Sequence, residues 1–442
     1  MSVIGDALVV VAIGLFVTRL TGQAADVGFV LAAYAGPLVA FVLIGGVVAD
    51  RLPRQTVMVV SDLTRAVLHG LLAVLIATGT VQIWHMVVIG LAYGTAEAFF
   101  RPAYTGLVPQ TVARDDDIQG AQALGGLSSE LANLASPALA TLLVLGVGGG
   151  WAFGLDAGTF LVSAALVVRV RARARGERVA RASMLSELHE GWRAVRERPW
   201  VLVTIGCFST ALLTALAPFF VLGAAVARHA YGTEAVYGLA NTAFGVGTIA
   251  GAIVGSRWRP AYPMRVAAAA SVLWPAALAV YAVGPPLPVL YPSMAAAGSG
   301  IGLFSVLWET ALAQRIPPHL LSRVSAWDWM GSLALLPAGY ILVGWLAPMV
   351  GDARLLEIGG TVGSGVLLLT LLPSSTRWLT RLPQRSGHAS AGEPAVTAEA
   401  LAARAMLVAV GDRSGEAWAD RAQPSPGHDQ VVAAARGCRT TQ

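Results

Sequence analysis

The sequence predicts an all-α membrane protein with twelve transmembrane helices in two six-helix bundles and both termini in the cytoplasm. Three observations carry that expectation. Of 442 residues, 56% are apolar and 12% charged, about half the charged share of an ordinary soluble protein. No soluble domain could bury so much apolar surface, so lipid must be the solvent for most of it. Second, a hydrocarbon core about 30 Å thick is crossed by roughly 20 apolar residues in helical form. Third, arginine is concentrated in alternate loops.

The candidate spans are 3–19, 25–49, 57–77, 83–103, 121–146, 150–168, 200–227, 234–256, 265–284, 288–309, 324–347 and 355–373. Gly and Pro punctuate most of the gaps, as in Gly284-Pro285-Pro286. The first stretch has no basic leader and no small-residue cleavage site, so it reads as a retained helix rather than a signal peptide. Loops after the even-numbered spans carry Arg51, Arg54, Arg114, nine arginines between 169 and 198, Arg257, Arg259, Arg315 and Arg323. The opposite loops carry Arg19, Arg228 and Arg354. By the positive-inside rule the first set is cytoplasmic.

The chain divides at residues 171–199 into an N-terminal bundle (1–170) and a C-terminal bundle (200–373). Within that basic linker Leu185, Leu188, Trp192 and Val195 recur at helical spacing, which predicts an amphipathic helix on the inner membrane face. The halves echo one another: GGVVADR (45–51) against GAIVGSR (251–257), and Ser136-Pro137 against Leu336-Pro337 in the fifth helix of each. Residues 374–442, rich in Pro, Ser, Gly, Ala and charge, read as a mostly disordered cytoplasmic tail.

Composition also excludes chemistry. All 30 basic residues are arginine. Without lysine there is no P-loop, hence no ATP-binding cassette of that kind, and no Schiff-base catalysis. No His-Glu-x-x-His or Gly-x-Ser-x-Gly motif occurs, and the two cysteines suggest no metal site or disulfide framework. The chain is therefore expected not to be an enzyme, with no cofactor, no metal and no nucleic-acid partner. The expected partners are a small-molecule solute, a coupling ion and membrane lipid.

Gly46-x-x-x-Asp50-Arg51-x-x-Arg54, in the turn between helices 2 and 3, resembles the cytoplasmic loop motif of major facilitator superfamily transporters. That resemblance implies a major facilitator fold working by alternating access, with the loop as a conformational latch whose partner is the start of helix 11 near Ser322–Ser325. Ala132-x-x-x-Ser136-Pro137-x-x-Ala140 resembles a degenerate antiporter motif in which proline kinks helix 5. Phe99-Phe100-Arg101-Pro102-Ala103, Leu155-Asp156-Ala157-Gly158-Thr159-Phe160 and Glu197-Arg198-Pro199-Trp200 resemble the enterobactin-exporter and macrolide-efflux branch. The branch implies an efflux pump in the plasma membrane, the inner membrane of a bacterium, exporting a small, partly apolar molecule such as a drug or siderophore by proton antiport. An importer or uniporter of the same fold, or a non-transporting scaffold, are the alternatives.

Carboxylates inside a span are the candidate site residues, since each costs about 3 kcal/mol or more unless it meets a partner or water. Asp6 and Glu130, with Asn133 one turn from Glu130, lie on helices resembling the family's cavity-lining ones, and are the candidate proton or substrate contacts. Arg101 and Glu309 fall at equivalent positions of the two halves and form a candidate cytoplasmic gate, with Glu97 competing for Arg101 and Asp328 near the start of helix 11. Asp62 is expected to pair with Arg65, and Asp156 to be an exposed helix terminus.

Overall fold

The structure is a computed structural model that describes residues 2–111, 128, 131–132, 134–170 and 184–380. The regular secondary structure of those residues is all helical, with no strand among them. In chain order the helices are α1 (Ser2–Thr21), α2 (Ala24–Arg51), α3 (Arg54–Ala77), α4 (Ile83–Thr111), α5 (Leu134–Val147), α6 (Gly149–Arg169) and α7 (Met184–Arg196). The second half continues with α8 (Pro199–Tyr231), α9 (Ala235–Arg257), α10 (Pro263–Val283), α11 (Leu287–Arg315), α12 (Pro318–Leu333), α13 (Leu336–Val350), α14 (Asp352–Leu368) and the short α15 (Ser374–Arg377). Ten stretches among the described residues are long and apolar enough to cross a bilayer, and Leu8–Thr21 and Leu134–Val147 are shorter apolar helices.

Several helices run further than their apolar runs. α4 continues past residue 103 to Thr111 and α11 past 309 to Arg315. Leaving the hydrocarbon ends the need for apolar side chains, but nothing there ends the backbone hydrogen bonding. Proline lies just beyond two places where the ladder does give way. Residues 334–335, just before Pro337, separate α12 from α13, and a π turn at Leu212–Leu216 precedes Pro218 in α8. Each proline removes one donor and forces the neighbouring carbonyls to find another arrangement.

Small residues set the closest packing. At Gly45 an ideal Cβ would stand 2.2 Å from the carbonyl oxygen of Ala98, and at Gly251 2.0 Å from that of Ser299. These glycines open the repeated segments of the two halves, and each presses the backbone of its half's fourth membrane helix. The geometry is that of small-xxx-small interfaces, in which association rests on close backbone approach. Gly298 and Gly302 return the contact, against the carbonyls of Phe244 and Thr248.

Helices α1–α6 pack on one another, as do α8–α14. The two groups meet along α1 with α8 and α2 with α13. Here the ideal Cβ of Gly28 falls 2.3 Å from the Tyr340 carbonyl oxygen, that of Gly344 2.7 Å from Ala25 Cα, and that of Gly238 (α9) 1.6 Å from the Thr141 hydroxyl (α5). All of these lie towards one end of the helices, where α1 closes at Gly22 (φ +69°) and α8 at Gly232 (φ +73°). Such left-handed caps favour glycine.

The linker helix forms over Met184–Arg196, as its spacing predicts. Part of its apolar face is taken by protein: Ala194 and Val195 are buried with Trp200, Val201 and Val324. Trp192 packs against Trp327 at 5.0 Å between ring centroids, and Glu190 pairs with Arg323. Residues 171–183 and 381–442 lie outside the described residues. Of the first seven residues after 373, Thr376 and Leu379 are buried; Arg265 sits 4.7 Å from the Tyr262 ring and 4.2 Å from that of the exposed Trp378, and Arg315 donates to the Thr380 carbonyl.

Candidate functional site

One face of α3 presents Asp62, Arg65 and His69, at helical spacings of three and four. All three are fully buried. Burying charge in a span is tolerable only with partners, and the neighbouring helices supply them. Arg65 donates from Nη2 to Asp62 Oδ1 at 2.6 Å and from Nη1 to Asp6 Oδ1 on α1 at 3.0 Å. Its guanidinium is flanked by the rings of Phe100 and Phe160, at 4.4 and 4.2 Å from their centroids. Tyr93 on α4 also donates to Asp6 Oδ1, at 2.5 Å.

His69, one turn further along, joins two more helices. Its Nδ1 meets Asp156 Oδ2 on α6, and its Nε2 lies 3.1 Å from the Tyr34 hydroxyl on α2. The imidazole stacks on Tyr93, with 4.4 Å between centroids and 11° between planes. Asp156 is therefore not the exposed terminus its place in the sequence suggests; it is fully buried, because His69 reaches it across the bundle. Its Oδ1 occupies the place a side chain would take at Gly5, 1.6 Å from that ideal Cβ. Among the side chains grouped around Arg65 and His69, Asp6 has open surface, 22% of its side chain.

The remaining candidates fall elsewhere. Glu130 and Asn133 lie outside the described residues, and so does the Asp50 side chain. Gly46 has open space where a Cβ would be, Arg51 is exposed and Arg54 half-buried. Arg101 donates from Nε and Nη2 to Glu97 Oε1, at 2.8 and 2.6 Å. Glu309 is exposed on α11. Asp328 on α12 accepts from the Trp308 indole at 2.9 Å, which ties α11 to α12. Ser136 and Pro137 are buried in α5, where Thr141 donates to the Pro137 carbonyl at 2.7 Å.

Sequence reasoning passed over His69, Tyr34 and Tyr93. The spacing of His69 from Arg65 and Asp62 was the available signal for the first. The tyrosines carry none, since an aromatic in an apolar helix is usually packing.

A single-bundle cluster of carboxylates, arginine and histidine within a repeated, glycine-packed helical array is what a membrane carrier presents, and residues 1–338 match the family model for the Major Facilitator Superfamily. The chain belongs to the major facilitator superfamily. Among its relatives it is 28% identical over 363 residues to the multidrug efflux pump Tap of Mycolicibacterium fortuitum, covering 78% of this chain and 87% of that one. It is 24% identical over 386 residues to the enterobactin exporter EntS of Salmonella choleraesuis, covering 85% and 91%. The fold matches the crystal structure of the nucleoside transporter NupG with a TM-score of 0.66 at 14% identity, covering 84% of this chain and 96% of that one. It also matches a bacterial homologue of the lysosomal transporter Spinster, in an inward-facing and unoccupied conformation, with a TM-score of 0.61 at 13% identity, covering 87% and 96%. This member of the superfamily is a multi-pass membrane transporter and not an enzyme.

Proposed function

We propose that this transporter exports a small, partly apolar molecule across a bacterial inner membrane in exchange for protons, with Asp6 as the exchanging carboxylate. The observation that carries the reading is the sharing of Arg65. Two carboxylates, Asp6 and Asp62, bind one guanidinium, so one negative charge remains without a fixed counterion. A proton supplies it, and Asp6 is the member of the pair with access to solvent. The efflux relatives, at 24% and 28% identity, support the outward direction.

The working frame is twelve helices as two rocking bundles with cytoplasmic termini. Ten spans and two shorter apolar helices support that number. Closure at the end bearing Gly22 and Gly232 leaves the Arg51 end as the open side, an inward-open form. Gly46, Asp50, Arg51 and Arg54 are the latch of the opposite state. Arg101 leaves Glu97 for Glu309 when the inner side closes. Ser136 and Pro137 give helix 5 its bend, and Glu130 and Asn133 complete the contacts with solute or proton.

Uptake of dyes, antibiotics and siderophores into inverted vesicles under an imposed pH gradient tests this. Gradient-driven uptake with proton release on solute addition is expected, lost in Asp6→Asn while solute binding remains. Coupled uptake at the wild-type rate in Asp6→Asn would remove Asp6 from the mechanism.

A further inference from the structure

The linker helix α7 has a second face that the described protein does not cover. Its buried side rests on α12 and the start of α8 through Gly191, Ala194 and Val195. On the other side His189, Trp192, Arg193 and Arg196, at helical spacings of three, four and seven, share one face. With Glu197 they line a hollow of about 440 Å³. The neighbouring acids with described side chains are already engaged, Glu190 with Arg323 and Glu197 with Arg193 Nε at 2.8 Å. His189 and Arg196 are exposed and have no side-chain partner among the described residues. Charge in this stretch is lopsided as well: residues 169–198 hold nine arginines against four glutamates.

We propose that this face of α7 binds the phosphate headgroup of an anionic phospholipid. Position and chemistry both favour a lipid over a soluble anion. α7 lies where the chain enters the bilayer: Arg198 donates to the Ala194 carbonyl at 2.7 Å, covering the end of α7, and the apolar run of α8 starts at Trp200. Exposed indoles of Trp192, Trp258 and Trp378 lie near helix ends on that same side, as tryptophans at a membrane interface do. The fork of the Arg196 guanidinium matches two phosphate oxygens, and His189 adds a ring N–H. Trp192 is held against Trp327 with 5.0 Å between ring centroids, so its ring stands fixed one turn before Arg196. That ring offers apolar surface to the glycerol and upper acyl chains, for which a soluble anion has no use. The arginine-rich linker draws α7 towards an anionic leaflet, and a headgroup seated there closes the open side of the helix over α12.

Lipid capture by α7 does not depend on the direction or coupling of transport, so protein that is not transporting can test it. Full-length protein in neutral detergent is photolabelled with phosphatidylglycerol carrying a headgroup diazirine, and the adducts are mapped by peptide mass spectrometry. Label on residues 189–196 is expected. Arg196→Gln is expected to reduce it about fivefold, the fold-change of about 1 kcal/mol for one basic residue at an anionic surface. Arg257→Gln removes another exposed arginine on the same side and is expected to leave that label unchanged. Unlabelled phosphatidylglycerol should compete, and phosphatidylcholine at the same concentration should not. The wild-type map and these competitions decide the matter even if Arg196→Gln does not fold. Absence of label from 189–196 in wild type, equal losses in the two variants, or equal competition by phosphatidylcholine overturns the proposal. Displacement by excess inorganic phosphate also overturns it, by marking a site for a soluble anion.

Discussion

Arg19, at the end of α1, and Glu234, at the start of α9, lie 3.6 Å apart and join the two halves of the transporter. Arg228 of α8 stands at the same distance from the same carboxylate oxygen. Glu234 is nearly enclosed, with 6% of its side chain exposed. Two of the three arginines in the loops of that side therefore converge on one acid, Arg19 from the other half.

Breaking this pair should favour opening at that end. Glu234→Gln is expected to raise the labelling rate of a Thr21→Cys reporter by membrane-impermeant maleimide about fivefold, the effect of about 1 kcal/mol on a two-state balance. Arg19→Glu with Glu234→Arg should lower it again. Equal rates in wild type and Glu234→Gln would show that the contact does not hold the halves together.

Two adjacent glycines should behave differently. Gly45→Ala places a methyl group 2.2 Å from the Ala98 carbonyl oxygen, so α2 and α4 must separate and thermal stability should fall. Gly46→Ala meets open space and should melt as wild type does. If the latch closes on Gly46 in the other state, transport by Gly46→Ala will slow while its Tm is unchanged. A lowered Tm in Gly46→Ala would assign the effect to folding instead.

Arg101 offers a test of the gate. Arg101→Glu and Glu309→Arg are each expected to abolish transport, and the double swap to restore it. A double variant as inactive as either single would leave Arg101 with Glu97, its partner in this structure, in every state.

The segment after α14 gives a stability prediction. Truncation after Thr380 should leave the melting temperature as it is, whereas truncation after Pro373 should lower it by several degrees. The longer cut removes Trp378 from Arg265, a cation–π contact of about 0.5–1 kcal/mol, and uncovers the site of Leu379, whose burial contributes roughly 1.5–3 kcal/mol. Identical melting curves for the two truncations would refute it.

The helical architecture could be read from the sequence because lipid imposes one solution on long apolar runs, and Leu336-Pro337 located the break between α12 and α13, whereas the helix runs unbroken through Pro137. The Asp62–Arg65 pair was legible for a similar reason: both groups lie on one helix, where spacing fixes proximity. Asp156 was misread because depth along a helix says nothing about which face it shows, and its partner is 87 residues away in sequence. The convergence of α1, α2, α3, α4 and α6 on Arg65 and His69 is a tertiary fact, beyond the reach of any local pattern.

Backbone lies directly on backbone where α2 meets α4 and where α9 meets α11. At those glycines no side chain stands between the helices, so no rotamer change there can lubricate a slide of one past the other. Each couple must swing as a single plank. Opening the mouth of this carrier is then a tilt of whole boards, and a drug-sized ligand that wedges any one plank would stall the entire stroke.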